Sequence, residues 1–174
     1  PAHAATPWRL VTGYRAESFH GVNLAQFARE VETAGGPKIE LHANNTLHKL
    51  AEIPAAVKAV KVELGEAIMS GLAADWPLAG ADSLPFMVRG YDAQFESLVH
   101  PVTVLMAVPW LPQGRYAKKP VGRVSDLAGT RMRTYNKTTE RIAQLMGATP
   151  VEVSMSQVGQ AFGDGRIDCM LTSA

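Results

Sequence analysis

The sequence predicts an α/β chain with mainly parallel sheets and helices on both faces, and three observations carry that prediction. A short strand-like run at 8–12, and runs with period-two alternation at 38–42 and 130–135, stand between longer stretches whose apolar residues recur at spacings of three and four. Most connections between successive strands are long enough to hold a helix, which parallel pairing requires and a hairpin does not. The apolar run at 102–108 is nearly unbroken, as in a strand covered on both sides.

The first strand, residues 8–12, is followed by a loop at 13–17. Ser18 then caps a helix in which Leu24, Phe27, Ala28 and Val31 share a face, and Gly35-Gly36-Pro37 stops it. A second strand is expected at 38–42, with a polar loop to Lys49. Ile53, Val57, Val60 and Leu64 lie four, three and four apart, the pattern of an amphipathic helix that tolerates Pro54 in its first turn. A third strand is expected at 66–70. From 71 to 90 the periodicity fades among prolines and glycines, leaving a loop region with an apolar patch at 84–88. Residues 91–100 can form a short helix, and 102–108 a buried strand able to link two lobes. A loop carrying Trp110, Gln113 and Tyr116 comes next. Beyond the 130–135 strand, Ile142, Leu145 and Met146 mark a helix, 151–153 a short strand, 156–162 a helix ended at Gly163, and 167–172 an apolar strand. No internal repeat shows in the sequence. The expected division is a first lobe at 1–100, then a crossover strand and part of a second lobe at 101–174.

Composition excludes several classes of function. The 174 residues suffice for one sizeable core or two small lobes, and 47% hydrophobic with 19% charged residues is an ordinary globular balance. Net charge is +1, from 17 basic and 16 acidic residues, so neither a nucleic-acid surface nor a polybasic membrane patch is expected. No run approaches the ~18 consecutive apolar residues of a membrane span. The single cysteine, Cys169, rules out an internal disulfide and reads as a small buried side chain. Residues 1–5 are small and apolar, like the tail of a removed export signal without its charged and hydrophobic regions. There is no GxSxG, GxxxxGK[ST], HExxH or dinucleotide fingerprint, and the five histidines show no metal-ligand spacing. Catalysis, a resident metal and a cofactor are therefore not expected.

The candidate site centres on Arg133. Arg131 and Arg133 are two apart on the 130–135 strand, so they share a face and their guanidinium groups lean together. Asn136 to Thr139 offer capping side chains for the next helix. An arginine at the carboxyl end of a strand, beside a helix start, is where an open α/β sheet receives an anion. The bland alternative for Arg133 is a surface ion pair with Asp126 or Glu140. Arg131 reads as structural. Asn136 joins Arg133 on the candidate list.

Thr172 and Ser173 end the last strand, as ligand donors or as a strand-end turn. Tyr14 and Glu17 flank the end of the first strand, and Ser70 ends the expected third. His20 reads as a surface histidine on the helix. Trp110 and Gln113 could line a flat substrate, or the aromatic rings could pack a proline-rich crossover.

Three segments together resemble a known family. Asp126-Leu127-Ala128-Gly129-Thr130-Arg131-Met132-Arg133, then 143–151, then Gly165-Arg166-Ile167-Asp168, are similar to the second-domain signature of the extracytoplasmic solute-binding proteins of TRAP transporters. Residues 8–27, 39–70 and 82–93 resemble its first domain. The resemblance implies a two-lobed periplasmic-binding-protein-like fold, with the second lobe incomplete in this chain because family members are longer. It implies capture of a small organic acid, aromatic or α-keto acids included, in an interlobe cleft outside the cytoplasmic membrane, with Arg133 forming the salt bridge to its carboxylate. The partner implied is a TRAP permease in the membrane, with no nucleic acid and no insertion of this protein itself. A ligand-sensing domain of the same fold is the alternative. The polypeptide alone is expected to expose apolar surface and to be poorly soluble.

Overall fold

Leu10 and Val11 are successive strand residues, so their side chains leave opposite faces of the sheet, and each meets a different helix. Leu10 packs with Leu24, Ala28 and Ile39, and Val11 with Ile53, Ala56 and Val62. The structure is a computed structural model that describes residues 6–73, 75, 77, 79, 103–106 and 113–173. It divides into two units, Pro1–Val104 and Leu105–Ala174.

In unit 1, β1 (Trp8–Val11) is followed by α1 (Phe19–Thr33), β2 (Ile39–His42), α2 (Ile53–Lys58) and β3 (Leu64–Gly65). The sheet is wholly parallel, in the order β2-β1-β3. The second crossover must pass back over β1, and right-handed crossovers in opposite directions put the two helices on opposite faces. That is the double layer Leu10 and Val11 record. Ser18 caps α1 as the sequence predicts, its Oγ accepting from Gly21 N at 3.2 Å.

The third strand is a correction. The apolar spacing predicts a helix to Leu64, but α2 ends six residues earlier, where Val60 takes the left-handed conformation, φ 56°, and Lys61 N donates to Ala56 O at 2.9 Å. The strand therefore forms at Leu64–Gly65 instead of 66–70, and Met69–Leu72 makes a 3-10 turn.

Unit 2 holds β4 (Gln113–Ala117), β5 (Arg131–Thr134), α3 (Lys137–Leu145), β6 (Thr149–Glu152), α4 (Val158–Gly163) and β7 (Cys169–Ser173). The order is β4-β7-β5-β6, with β5 parallel to both β6 and β7 and only β4 antiparallel. Pro150 sits in β6 without harm, because β6 lies at the sheet edge. Met132 packs with Leu127, Ala143, Ala148 and Cys169 on the α3 face, while Val153, Val158, Ala161 and Ile167 form the core on the other. Burial pushes the Cys169 thiol up. The loop expected to carry Gln113 and Tyr116 is thus a strand from Gln113 onward. β4 has no apolar alternation because it lies at the edge, with four of its five residues exposed.

Apart from β4 the two units repeat one plan, βαβαβ in the order second, first, third. The register makes Leu10 and Val11 in β1 equivalent to Met132 and Arg133 in β5, since these pairs lie opposite Leu64 and Gly65 in β3 and Cys169 and Met170 in β7. An arginine lies at the amino end of each central strand, second in β1 and first in β5, and is clamped by the acid just before the third strand. Arg9 meets Glu63 through its backbone N, Nε and Nη2 at 2.8, 3.1 and 2.9 Å. Arg131 meets Asp168 through the same three donors at 3.0, 2.9 and 2.8 Å. Arg9 lowers the Glu63 pKa to about 2, and Arg131 holds the Asp168 carboxyl well below its ordinary range.

The expected strand at 102–108 is described only at 103–106, which form no strand. The apolar patch at 84–88, the helix at 91–100 and Trp110 lie outside the described residues. No helix among the described residues is long and apolar enough to cross a membrane.

Candidate anion-binding site

Arg133 is the third residue of β5 and lies on the sheet face opposite Met132, since neighbouring strand residues alternate. Its cross-strand neighbours Val151 and Met170 pack with the α4 core, which fixes the face. The residue is only 3% exposed. Putting a permanent charge there costs desolvation, so an arginine is retained at such a place when its geometry is used. Nε donates to Val153 O at 2.9 Å, and the Tyr135 ring lies over the guanidinium, 4.7 Å from its carbon to the ring centroid. The two acids offered as surface partners are turned elsewhere, Asp126 to Arg123 at 3.1 Å and Glu140 to Lys137 at 3.0 Å. The expected leaning together of Arg131 and Arg133 is likewise corrected, because Arg131 turns to the Asp168 clamp at the amino end of the strand.

Around the carboxyl end of β5 the chain is fixed by one capping network. Asn136 Oδ1 accepts from Thr139 N at 2.8 Å and from Thr139 Oγ1 at 2.9 Å, and Thr139 Oγ1 in turn accepts from the backbone N of Tyr135 and Asn136 at 3.1 and 3.2 Å. These bonds start α3 and hold the segment that presents Tyr135. Thr134, Thr172 and Ser173 are buried at the same end of the sheet. Gln113 is paired with Ser173 across β4 and β7, and its Oε1 accepts from Tyr135 Oη at 3.4 Å. Unit 2 thus gathers Arg133, Asn136, Gln113, Thr172 and Ser173 at one rim, which the sequence had scattered over sixty residues. A cavity of about 220 Å³ lined by Tyr116, Leu127, Met132 and Cys169 lies on the α3 face and does not include Arg133.

In unit 1 the carboxyl ends of β1 and β3 hold a different chemistry. Thr12 Oγ1 donates to Glu66 Oε2, and His20 Nδ1 lies 2.6 Å from Glu66 Oε1. Tyr14, buried, stacks on the His20 ring at 4.2 Å and 13°. His20 is 6% exposed, so its reading as a surface histidine is corrected. Sequence reasoning missed both His20 and Glu66. The available signal was the spacing of His20 and Leu24, one helical turn apart on the buried face, but Glu66 is 46 residues away. Glu17 is exposed and 3.5 Å from Arg15, and Ser70 sits half-buried in the 3-10 turn beyond β3.

Two α/β units with polar and charged groups collected at the carboxyl ends of their central strands have the arrangement at which open sheets receive ligands, with a cationic end in unit 2. Comparison with known proteins makes the class specific. Residues 113–173 match the family described as bacterial extracellular solute-binding protein, family 7. Among solved structures, the chain is similar to DctP6, a Bordetella pertussis extracytoplasmic solute receptor binding pyroglutamic acid, with 36% identity and a TM-score of 0.86 over 96% of this chain and 60% of that one. DctP7 of the same organism, also binding pyroglutamic acid, gives 36% identity and a TM-score of 0.84 over 97% and 60%. A marine metagenome TRAP solute-binding protein specific for pyroglutamate gives 31% and 0.85 over 98% and 60%. No curated protein matches. The resemblance to TRAP extracytoplasmic solute-binding proteins is borne out in family and in fold. The chain spans about 60% of the length of these relatives.

Proposed function

We propose that the protein is an extracytoplasmic receptor that captures a small organic acid through Arg133 and delivers it to a TRAP permease, with pyroglutamate the first candidate. The observation that carries this is the buried guanidinium at the carboxyl end of β5, held by Val153 O and the Tyr135 ring. A guanidinium fork matches a carboxylate with two parallel hydrogen bonds, so it sets the orientation of the acid as well as its charge. Thr172 and Ser173 stand at the same rim, and their hydroxyls suit the remaining polar atoms of a small acid. The pyroglutamate bound by relatives of 31–36% identity supports the choice of ligand. No bond of the acid is made or broken, and it leaves as it entered.

A thermal-shift screen of L-pyroglutamate against aliphatic, α-keto and aromatic acids tests the reading. A ligand that binds only the folded protein raises the melting temperature in proportion to the logarithm of its concentration. Pyroglutamate should give the largest shift, and Arg133→Lys should abolish most of it. A shift that survives the substitution unchanged would remove Arg133 from the site.

A further inference from the structure

We infer that Tyr135 is a positioning residue that holds the Arg133 guanidinium in its binding plane, with Gln113 anchoring Tyr135 from the edge strand. The inference rests on the reading of Arg133 as the carboxylate fork. An arginine side chain samples many rotamers, and a bidentate contact needs one of them. In unit 2 that rotamer is fixed from two directions, at Nε by Val153 O and over the guanidinium face by the Tyr135 ring. A carboxylate approaches the edge of a guanidinium, so a ring on the face leaves the fork geometry intact while drawing the cation toward its electron-rich surface.

The ring is itself held at both ends. Its backbone N donates to Thr139 Oγ1 at 3.1 Å, inside the capping network of α3, and its hydroxyl donates to Gln113 Oε1 at 3.4 Å. This gives the otherwise apolar-poor β4 a purpose. Running antiparallel to β7, it sets its first residue opposite Ser173, at the rim where the hydroxyl of Tyr135 arrives. Packing alone would account for a buried tyrosine, but not for a half-buried one stacked on a charge and tied to an exposed strand end.

Calorimetric titration with L-pyroglutamate, on the wild type, Y135L, Y135F, R133K and the R133K/Y135L double variant, tests this. Y135L should weaken binding roughly 3- to 30-fold, the range of a partly desolvated cation–π contact, while the unliganded protein still melts in one cooperative transition. Y135F, which keeps the ring but loses the hydroxyl bond to Gln113, should recover only part of that loss. In the R133K background Y135L should add less than about two-fold, because a residue that acts through Arg133 has nothing left to position. Equal losses in both backgrounds would overturn the inference. A second measurement needs no ligand: the Arg133 Nε–H resonance should lose its ring-current shift in Y135L, and an unmoved resonance would overturn the inference too. Wild-type affinity in R133K would instead defeat the carboxylate reading, leaving the resonance to decide the role of Tyr135.

Discussion

The two units share a plan at one end of their sheets and part company at the other. At the amino ends, Arg9 with Glu63 and Arg131 with Asp168 make the same three-bond clamp between the first and third strands. At the carboxyl ends, unit 1 collects an acid, Glu66 held by His20 and Thr12, whereas unit 2 buries a base, Arg133. Val11 occupies in β1 the place that Arg133 occupies in β5. What repeats is scaffold, since the same strand order needs the same register. What differs is free to serve a ligand, because loops and strand ends at the carboxyl edge do not decide the fold.

Core deletions should strike both units alike and hardest. Ile53 in unit 1 and Ile167 in unit 2 are fully buried, and alanine at either should cost about 2–5 kcal/mol, read from denaturant midpoints. A loss below about 1 kcal/mol at either would contradict the close packing around it. Arg133→Lys should separate the units by function: about ten-fold or more in affinity for the bound acid, from the ~1.5–3 kcal/mol of a charged hydrogen bond, as measured by titration calorimetry.

Gly65→Ala probes a close approach in unit 1, at the position that Met170 occupies in unit 2. A Cβ there would stand 2.3 Å from Ile53 Cγ2, so about 1–3 kcal/mol should be lost in a denaturant melt.

Helix endings supply a smaller test. The four α-helices among the described residues close with the same pair of backbone bonds, and the left-handed residue is Gly35, Gly147 or Gly165 in three of them but Val60 in α2. Val60 is β-branched and 80% exposed, so Val60→Gly relieves strain at no packing cost and should raise stability by about 0.5–1 kcal/mol in thermal melts.

The amino-end clamps should respond least. Both carboxyls have lowered pKa values, so their contribution is fully present above the ordinary 4.5 and 3.8 and is lost as pH falls, for Glu63 through about 2. Glu63→Gln and Asp168→Asn should therefore each lower the melting temperature slightly at pH 7, with the deficit shrinking on acidification. A deficit that grows toward acid would contradict the pairing. The effect stays small because the pairs are solvent-screened.

The sequence disclosed what local pattern controls. Ser18 and Asn136 start their helices where capping chemistry puts them, and β1, β2 and β5 fall within a residue or two of the expected strands. It concealed what depends on distant partners. β4 is a strand only because β7, more than fifty residues on, offers a ladder, and Glu66 meets His20 only once β3 lies beside β1. The end of α2 escaped for another reason, since a valine in the left-handed region runs against its own preference and no composition rule announces it. Arg133 was legible as an arginine at the carboxyl end of a strand, whereas the Tyr135 ring above it needed the turn after β5 to be seen in three dimensions.

The antiparallel seating of β4 also has a mechanical side. With Gln113 directly across from Ser173, tension applied at those two residues would load one rung of the ladder at a time, and unit 2 would peel open like a zip. Tension between Trp8 and Gly65 in unit 1 would instead slide parallel strands past each other, sharing the force over every rung. Pulled at those pairs, β4 would leave unit 2 rung by rung, whereas β1 and β3 would part in a single slip.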